Sequence, residues 1–476
     1  MRRLSATDSL FLSLETSRLP MKVGGLVTLD PTSAPAFGFD RVRDLYARRI
    51  ARVPKLTWTI KEAPLRLDRP LWVDGGELDI DRHLERVSVP APGGPREVAE
   101  VVGELFCQPL DRDLPLWRMW YLDGLADGTA ALFSTHHHCL MDGTSGANLT
   151  AIMFDLEPNP NPEPEPPHPV AGPGDPDPSD LEQLLESGLN LLATSAKLPG
   201  FVGAYAKRVA RMVPDVIKHG VPSALLSPAP RTSFNHLVGA RRVLAFASLS
   251  LADLKAVRKR LDVTVNDVIV AVCTDALERY LRRTGEGVPE RPLTVAVPVS
   301  TRAPGDDELT NRVSVFPISV ATDIVGPVEH LHAISRETER GKQLAEAFVA
   351  SRLPSFGELM SPALWGAAVR AVTPLFPYMP VVINTMVSTV RGAPCPLYVA
   401  GARVTGIYPT SIVLVNMGIN FTAISSDSQV DIGVTVDPDL VPDPWLVAEA
   451  LPEALRDLMR AADLSDPQSV PTFAVA

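Results

Sequence analysis

The stretch AALFSTHHHCLMDG, Ala130–Gly143, sets an apolar, strand-like run against three consecutive histidines and an Asp-Gly turn. Successive residues on a strand point to opposite faces, so His136, His137 and His138 cannot readily converge on one ion. No HExxH-like spacing places two imidazoles four residues apart. A metal centre built from these histidines and Asp142 is therefore not expected. A histidine at the end of a buried strand, just before a turn, is held in place yet faces a cleft. An ordinary imidazole, with a pKa of about 6.5, is neutral and basic near pH 7, as a general base must be. From residue types alone, a buried polar anchor for the loop and a catalytic base stay equally open.

Working outward, GGLVTLD (residues 24–30) reads as another strand, and SGANLTAIMFDL (residues 145–156) reads as a helix with Thr144 or Ser145 as its cap. The run EPNPNPEPEPPHPVAGPGDPDPSD (residues 157–180) is so rich in proline that it should be extended and exposed. Beyond it, residues 181–192 read as a leucine-rich helix. Phe201, Tyr205, Val209, Met212 and Val216 form one stripe, with Lys207, Arg208, Arg211 and Lys218 opposite and a kink expected at Pro214. That pattern fits a packed surface helix or a basic amphipathic helix on an anionic membrane. RVLAFASLS is a strand, LADLKAVRKRLD a helix, and NDVIVAVCTDALERYLRR a helix with Val268, Val272, Ala276 and Tyr280 on one face. LTVAVPVS is a buried strand, and INFTAISSDSQVDIGVTVD a hairpin turning at SSDS. Strands and helices mix on both sides of the proline run, which predicts an α/β or α+β fold in two halves. The boundaries expected are 1–157, a crossover at 158–230, and 231–476.

With 476 residues, two domains are the default. Hydrophobic residues at 45% and charged residues at 21% describe a soluble globular chain. The net charge of −11 argues against nucleic acid as a partner. Cys107, Cys139, Cys273 and Cys395 are scattered without CxxC spacing, as in a reducing compartment. The N-terminus lacks a signal-like apolar run. Residues 371–390 are uncharged over a length that would allow a membrane span, but Pro374, Pro377 and Pro380 disfavour a spanning helix. A buried, irregular segment leading into a strand is expected there.

His137–Gly143, HHCLMDG, resembles the HHxxxDG signature of CoA-dependent acyltransferases. Other stretches are similar to one branch of that superfamily, the bacterial wax ester synthase/diacylglycerol acyltransferases. They are the opening LSATDSLFLSLETSRLPMKVGGLVTLD, PLW at Pro70–Trp72 and again in LDRDLPLWRMWYLDGL, TVNDVIVA with Asn266 and Asp267, VPVSTR, NRVS and PLYVAGARVTGIYP. The resemblance runs from Leu4 to about Met459. It breaks at STVRGAP, where Thr389 replaces the family's Asn and Arg391 its first Pro. That departure bears on the pocket near the second domain and on substrate preference.

The resemblance implies two chloramphenicol-acetyltransferase-like domains with mixed sheets and an active-site tunnel at their interface. It implies an acyl-CoA-dependent O-acyltransferase that makes triacylglycerol from diacylglycerol, and wax esters from long-chain alcohols. His138 would be the general base and His137 its structural support. Asp142 would shape the loop, paired with an arginine such as Arg302, and Gly143 would give it backbone freedom. Asn266 would be a donor near the oxyanion or a structural support, an N-cap being the plainer use, and Asp267 a helix-dipole partner. No bound cofactor and no metal are implied; acyl-CoA is a co-substrate. The expected location is cytoplasmic, peripheral to the inner membrane face or lipid droplets. Rival expectations are a carrier-protein-dependent condensation-type transferase and a non-catalytic lipid-droplet protein.

Overall fold

The computed structural model describes residues 2–141, 152–160, 183–184, 187, 190, 224, 227–300, 313–324, 326–350, 362–372, 375 and 378–467. Two six-stranded mixed sheets carry them. The first runs β12 (Tyr398–Val399), β13 (Ala402–Thr410), β2 (Lys22–Asp30), β7 (Ala130–His137), β6 (Trp117–Asp123), β5 (Leu84–Ser88), with only β5 and β6 parallel. The second runs β10 (Val313–Val320), β9 (Leu293–Ser300), β11 (Thr385–Arg391), β14 (Ile419–Ser426), β15 (Gln429–Val436), β8 (Val243–Ser250), with β11 parallel to both neighbours. A small sheet joins β1 (Arg2–Arg3), β4 (Leu71–Asp74) and β3 (Trp58–Lys61). This is the mixed α/β architecture expected, and the hairpin turns where SSDS placed it, with Ser426 opposite Gln429.

Helices α1 (Ala6–Leu14), α2 (Phe39–Ile50) and α3 (Pro95–Cys107) lie in the first half. In the second lie α4 (Leu251–Leu261), α5 (Val265–Arg283), α6 (Pro327–Ala350), α7 (Pro362–Val372) and α8 (Trp445–Ala461). The spacing in α5 predicts one apolar face, and Val268, Val272, Ala276 and Tyr280 are indeed buried. Yet Ile269, Val270, Ala271, Cys273 and Leu277 are buried too. The helix is enclosed by α4, α6, α8 and β11, so it has little solvent face in its first turns.

The stretch before β11 departs from expectation. It does lead into a strand, but Leu375, Tyr378 and Val382 are 56%, 87% and 67% exposed rather than buried. Val381 is buried, and after the exposed Val382 burial resumes at Asn384. Its side chain receives the Thr294 N–H (2.8 Å) and donates to the Pro230 carbonyl (2.6 Å) and to Asn235 (2.7 Å). Among the described residues no helix is long and apolar enough to cross a membrane. The proline run beyond Pro160 and the stripe from Phe201 to Lys218 lie outside the described residues.

The sheets do not divide the chain at one point. β13 comes from late in the sequence but pairs with β2 in the first sheet. There it also lies against β15 of the second sheet. Side chains stitch this crossing. Asp431, fully buried on β15, accepts from the Ile407 N–H (2.8 Å), Ser248 Oγ (2.6 Å) and Gln429 Nε2 (2.8 Å). Tyr408 Oη lies 3.1 Å from Ser248 Oγ. An apolar cluster shared by both halves, including Leu26, Trp120, Phe133, Phe246, Tyr408 and Trp445, fills the space beside it.

Close approach here needs a residue without a side chain. A Cβ on Gly433 would fall inside contact distance of the Pro409 carbonyl oxygen. Gly433→Ala should therefore cost about 1–3 kcal/mol by overpacking and lower the denaturation midpoint; an unchanged midpoint would mean that β13 and β15 are not in contact. Burial also pushes the Asp431 carboxyl up to about 6, against hydrogen bonds that pull it down. The folded chain then holds this proton more tightly than the unfolded chain, so the group's contribution is present below the usual carboxylate range and lost as pH rises through about 6. Asp431→Asn should flatten the pH dependence of stability between about pH 4 and 7 by up to about 3 kcal/mol. Matching slopes for variant and wild type in urea titrations would refute that.

Candidate active site

The pleat separates the histidines. His137 directly precedes His138, but its N–H donates to the Leu116 carbonyl on the β6 side (2.9 Å). The His138 N–H donates instead to the Met21 carbonyl on the β2 side (2.7 Å). The His137 ring is 1% exposed, whereas His136 and His138 are half-buried. His138 stacks on Phe11 of α1, with ring centroids 4.1 Å apart and planes 16° from parallel.

His137 closes the turn that follows it. Its Nδ1 accepts the Cys139 N–H (3.1 Å), and its own carbonyl accepts the Leu140 N–H (2.9 Å). Cys139, Leu140 and Met141 are buried beneath. Burial drives the His137 imidazole well below its ordinary range, helped by the nearby cations Arg112 and Lys22 and the flanking histidines. A ring that accepts at Nδ1 and is kept neutral carries its proton on Nε2. That nitrogen lies 3.7 Å from Glu15 Oε1.

Behind it runs a charge chain that sequence reading missed. Glu15 Oε2 pairs with Arg112 (2.7 Å), which also reaches Glu62 (3.1 Å). Lys22, directly across the ladder from His137, is buried, donates to the Gln108 carbonyl and sits over the Phe106 ring. Burial lowers its ammonium to about 8, opposed by Cys107 and Glu15. Arg112 was in plain view within LDRDLPLW and Glu15 within the opening segment. Nothing in their spacing shows that residues some hundred positions apart meet.

Asp142, Gly143 and Arg302 lie outside the described residues. Further along the chain, Asp155 exchanges backbone hydrogen bonds with Tyr398 (both 2.8 Å) and pairs with buried Arg49. Arg49 also donates to the Met153 carbonyl (2.7 Å). Among the described residues no three His, Cys, Asp or Glu side chains gather as metal ligands.

Asn266 is not the N-cap of α5. Thr264 is: it accepts the Asp267 N–H (3.1 Å), while Asp267 accepts the Thr264 N–H (3.0 Å). A threonine two residues upstream, with an acid at the third helical position, caps reciprocally and leaves Asn266 inside the first turn. Asp267 further accepts from Ser335 (3.1 Å) and Thr338 (2.6 Å) of α6, so it ties two helices together. Thr389, the departure from the family pattern, donates its hydroxyl to Asn266 Oδ1 (2.6 Å). The substituted position thus bears directly on the Asn-Asp pair.

Comparison with known proteins agrees along the whole chain. Residues 4–269 match the wax ester synthase/diacylglycerol acyltransferase catalytic domain, and residues 309–459 the WS/DGAT C-terminal domain. Among curated relatives, two proteins of Mycobacterium tuberculosis H37Rv are named as diacylglycerol O-acyltransferases. One is 34% identical over 476 residues, covering 97% of this chain and 91% of the relative. The other is 31% identical over 473 residues, covering 97% and 100%. Among solved structures, the wax ester synthase/diacylglycerol acyltransferase from Marinobacter aquaeolei VT8 superposes with a TM-score of 0.68 at 26% identity, covering 97% of this chain and all of that one. The starter condensation domain of rhizomide synthetase shares the fold, with a TM-score of 0.55 at 13% identity over 98% and 95% of the two chains.

His137→Ala should lower the melting temperature, because it empties a buried site and leaves the Cys139 N–H unpaired, a loss of about 2–4 kcal/mol. A variant that melts like wild type yet has lost all turnover would instead give His137 the reactive part.

Proposed function

The chain belongs to the wax ester synthase/diacylglycerol acyltransferase family, and we propose how its own residues perform acyl transfer. It is an acyl-CoA-dependent O-acyltransferase acting on diacylglycerol, and we extend the reading to long-chain alcohols. The observation that carries the assignment of roles is the split of the adjacent histidines: His137 is buried, neutral and committed to the turn, while His138 is half-buried on the other side of the chain.

His138 takes the proton from the acceptor hydroxyl as that oxygen attacks the thioester carbonyl carbon. The tetrahedral adduct collapses by breaking the carbon–sulfur bond. The imidazolium returns its proton to the departing thiolate, giving ester and free CoA. The thioester is already activated, so no covalent enzyme intermediate is required. Stacking on Phe11 limits the ring's freedom before substrate arrives, and the backbone hydrogen bond to Met21 holds the chain that carries it, which lowers the entropy cost of the reactive geometry. In this reading Asn266, whose side-chain oxygen accepts from Thr389, serves as a donor toward the developing oxyanion or as support for that wall. Asp142 and Gly143 set the shape of the loop, and the two substrates meet in a tunnel between the halves.

The lipid substrates partition into bilayers, and we place the protein peripherally on a membrane or lipid-droplet surface. The basic and apolar pattern from Phe201 to Lys218 and the exposed Leu375, Tyr378 and Val382 support that placement. Replacing Lys207, Arg208, Arg211 and Lys218 by Gln should reduce salt-sensitive sedimentation with anionic vesicles, at about 1 kcal/mol for each basic group lost. Full sedimentation of the replaced protein at low salt would move the docking face elsewhere.

His138→Ala should lower turnover of palmitoyl-CoA with diacylglycerol by about 10²–10⁴-fold with little change in melting temperature. Product chromatography and thiol release report the rate. Near wild-type turnover by the folded variant would remove His138 from the mechanism.

A further inference from the structure

Thr389, where the chain departs from the family pattern, sits on the central strand of the second sheet. β11 lies between β9 and β14, and its side chains alternate between the two faces. Thr385 and Val387 are buried, and Val387 belongs to the same apolar cluster as Val268, Ile269 and Val272 of α5. Thr389 shares their face by the two-residue period, one step nearer the end of the strand. There it meets the first turn of α5 and donates its hydroxyl to Asn266 Oδ1 (2.6 Å). Both residues are half-buried.

An amide has two ends of opposite hydrogen-bonding character. With the oxygen taken by Thr389, the nitrogen is the end left to donate elsewhere. Asn266 Nδ2 donates to no described residue, and it is not among the polar atoms sealed off without a partner. The next side chain is fully committed by contrast. Asp267 is buried and accepts from the Thr264 N–H, Ser335 and Thr338. The first turn of α5 therefore combines a rigid base with one unengaged donor. β11 ends at Arg391, and the chain then crosses to the first sheet as β12. Tyr398 of β12 pairs there with Asp155, which follows the histidine turn in sequence. The Thr389–Asn266 pair thus stands where the second half passes into the first.

We propose that Thr389 is a positioning residue for acyl transfer: its hydroxyl holds the Asn266 oxygen, so that Nδ2 is the end offered to the reacting thioester carbonyl. The proposal rests on the reading of Asn266 as the donor to the developing oxyanion. Without the hydroxyl, the amide can turn about its last side-chain torsion, which is a soft one. It then presents an oxygen, an acceptor that repels the negative charge it should stabilise. Thr389 touches neither substrate in this scheme and acts through Asn266 alone.

Steady-state turnover of palmitoyl-CoA with diacylglycerol by the full chain tests this, with melting curves to confirm that each variant folds. Thr389→Val keeps the shape and strand preference of threonine but lacks the hydroxyl. It should lower kcat about tenfold, the worth of one hydrogen bond, and leave KM for palmitoyl-CoA within about twofold. Thr389→Ala, smaller and likewise without the hydroxyl, should match it. Thr389→Ser restores the donor and should recover most of the lost kcat. Asn266→Ala should lower kcat by about 10²-fold. Adding Thr389→Val to that variant should change nothing further, because its effect passes through the amide. An unchanged kcat in folded Thr389→Val would overturn the proposal, as would a serine variant no better than valine. So would a full tenfold loss from Thr389→Val in the Asn266→Ala background, the mark of a merely structural threonine. Wild-type turnover by Asn266→Ala would instead remove the donor reading itself, and the proposal with it.

Discussion

The site depends on the register of β7. Bound on one edge by β2 and on the other by β6, the strand presents alternate side chains to opposite sides. A slip of one residue would turn every side chain over, carrying His137 out of the interior and His138 into it. Because both edges are paired, such a slip would break two ladders at once. The fixed pleat gives two chemically identical neighbours different surroundings, one buried and one half-buried.

What lies behind the strand keeps it there. Lys22, Glu15 and Arg112 place charge close to a buried imidazole, an arrangement that is stable only when each charge has a partner. Glu15 has Arg112, Arg112 has Glu62 as well, and the Lys22 ammonium has the Gln108 carbonyl and the Phe106 face. The cations favour the neutral state of His137, which the Cys139 hydrogen bond needs for an open lone pair. Loop closure and electrostatics therefore reinforce each other.

The two halves are joined through β13, a strand supplied by the later part of the chain to the earlier sheet. Its contacts with β15 and the apolar cluster shared by both halves fix how one half sits on the other. For an enzyme with two large substrates, that relative placement matters as much as any single side chain. The Thr264–Asp267 cap and its ties to Ser335 and Thr338 give the second half a comparably rigid helix start beside Asn266 and Thr389.

Local pattern determined a good deal. Strand alternation around Ala130–His137, the hairpin at SSDS and the helical spacing of α4 and α5 follow from side-chain period and turn chemistry, which act over a few residues. The opposite facing of His137 and His138 was legible for the same reason, and the HHxxxDG resemblance supplied the chemistry. Long-range closure was not legible. That Glu15 and Arg112 stand behind His137, that β13 crosses to the first sheet, and that Thr389 holds Asn266 depend on residues about a hundred or more positions apart. Thr264 rather than Asn266 caps α5 because the helix starts earlier than its first polar residue suggested. The stretch before β11 lies exposed although it is apolar, since burial depends on whether another element covers a segment. Local composition cannot state what covers it; only the packed chain decides that.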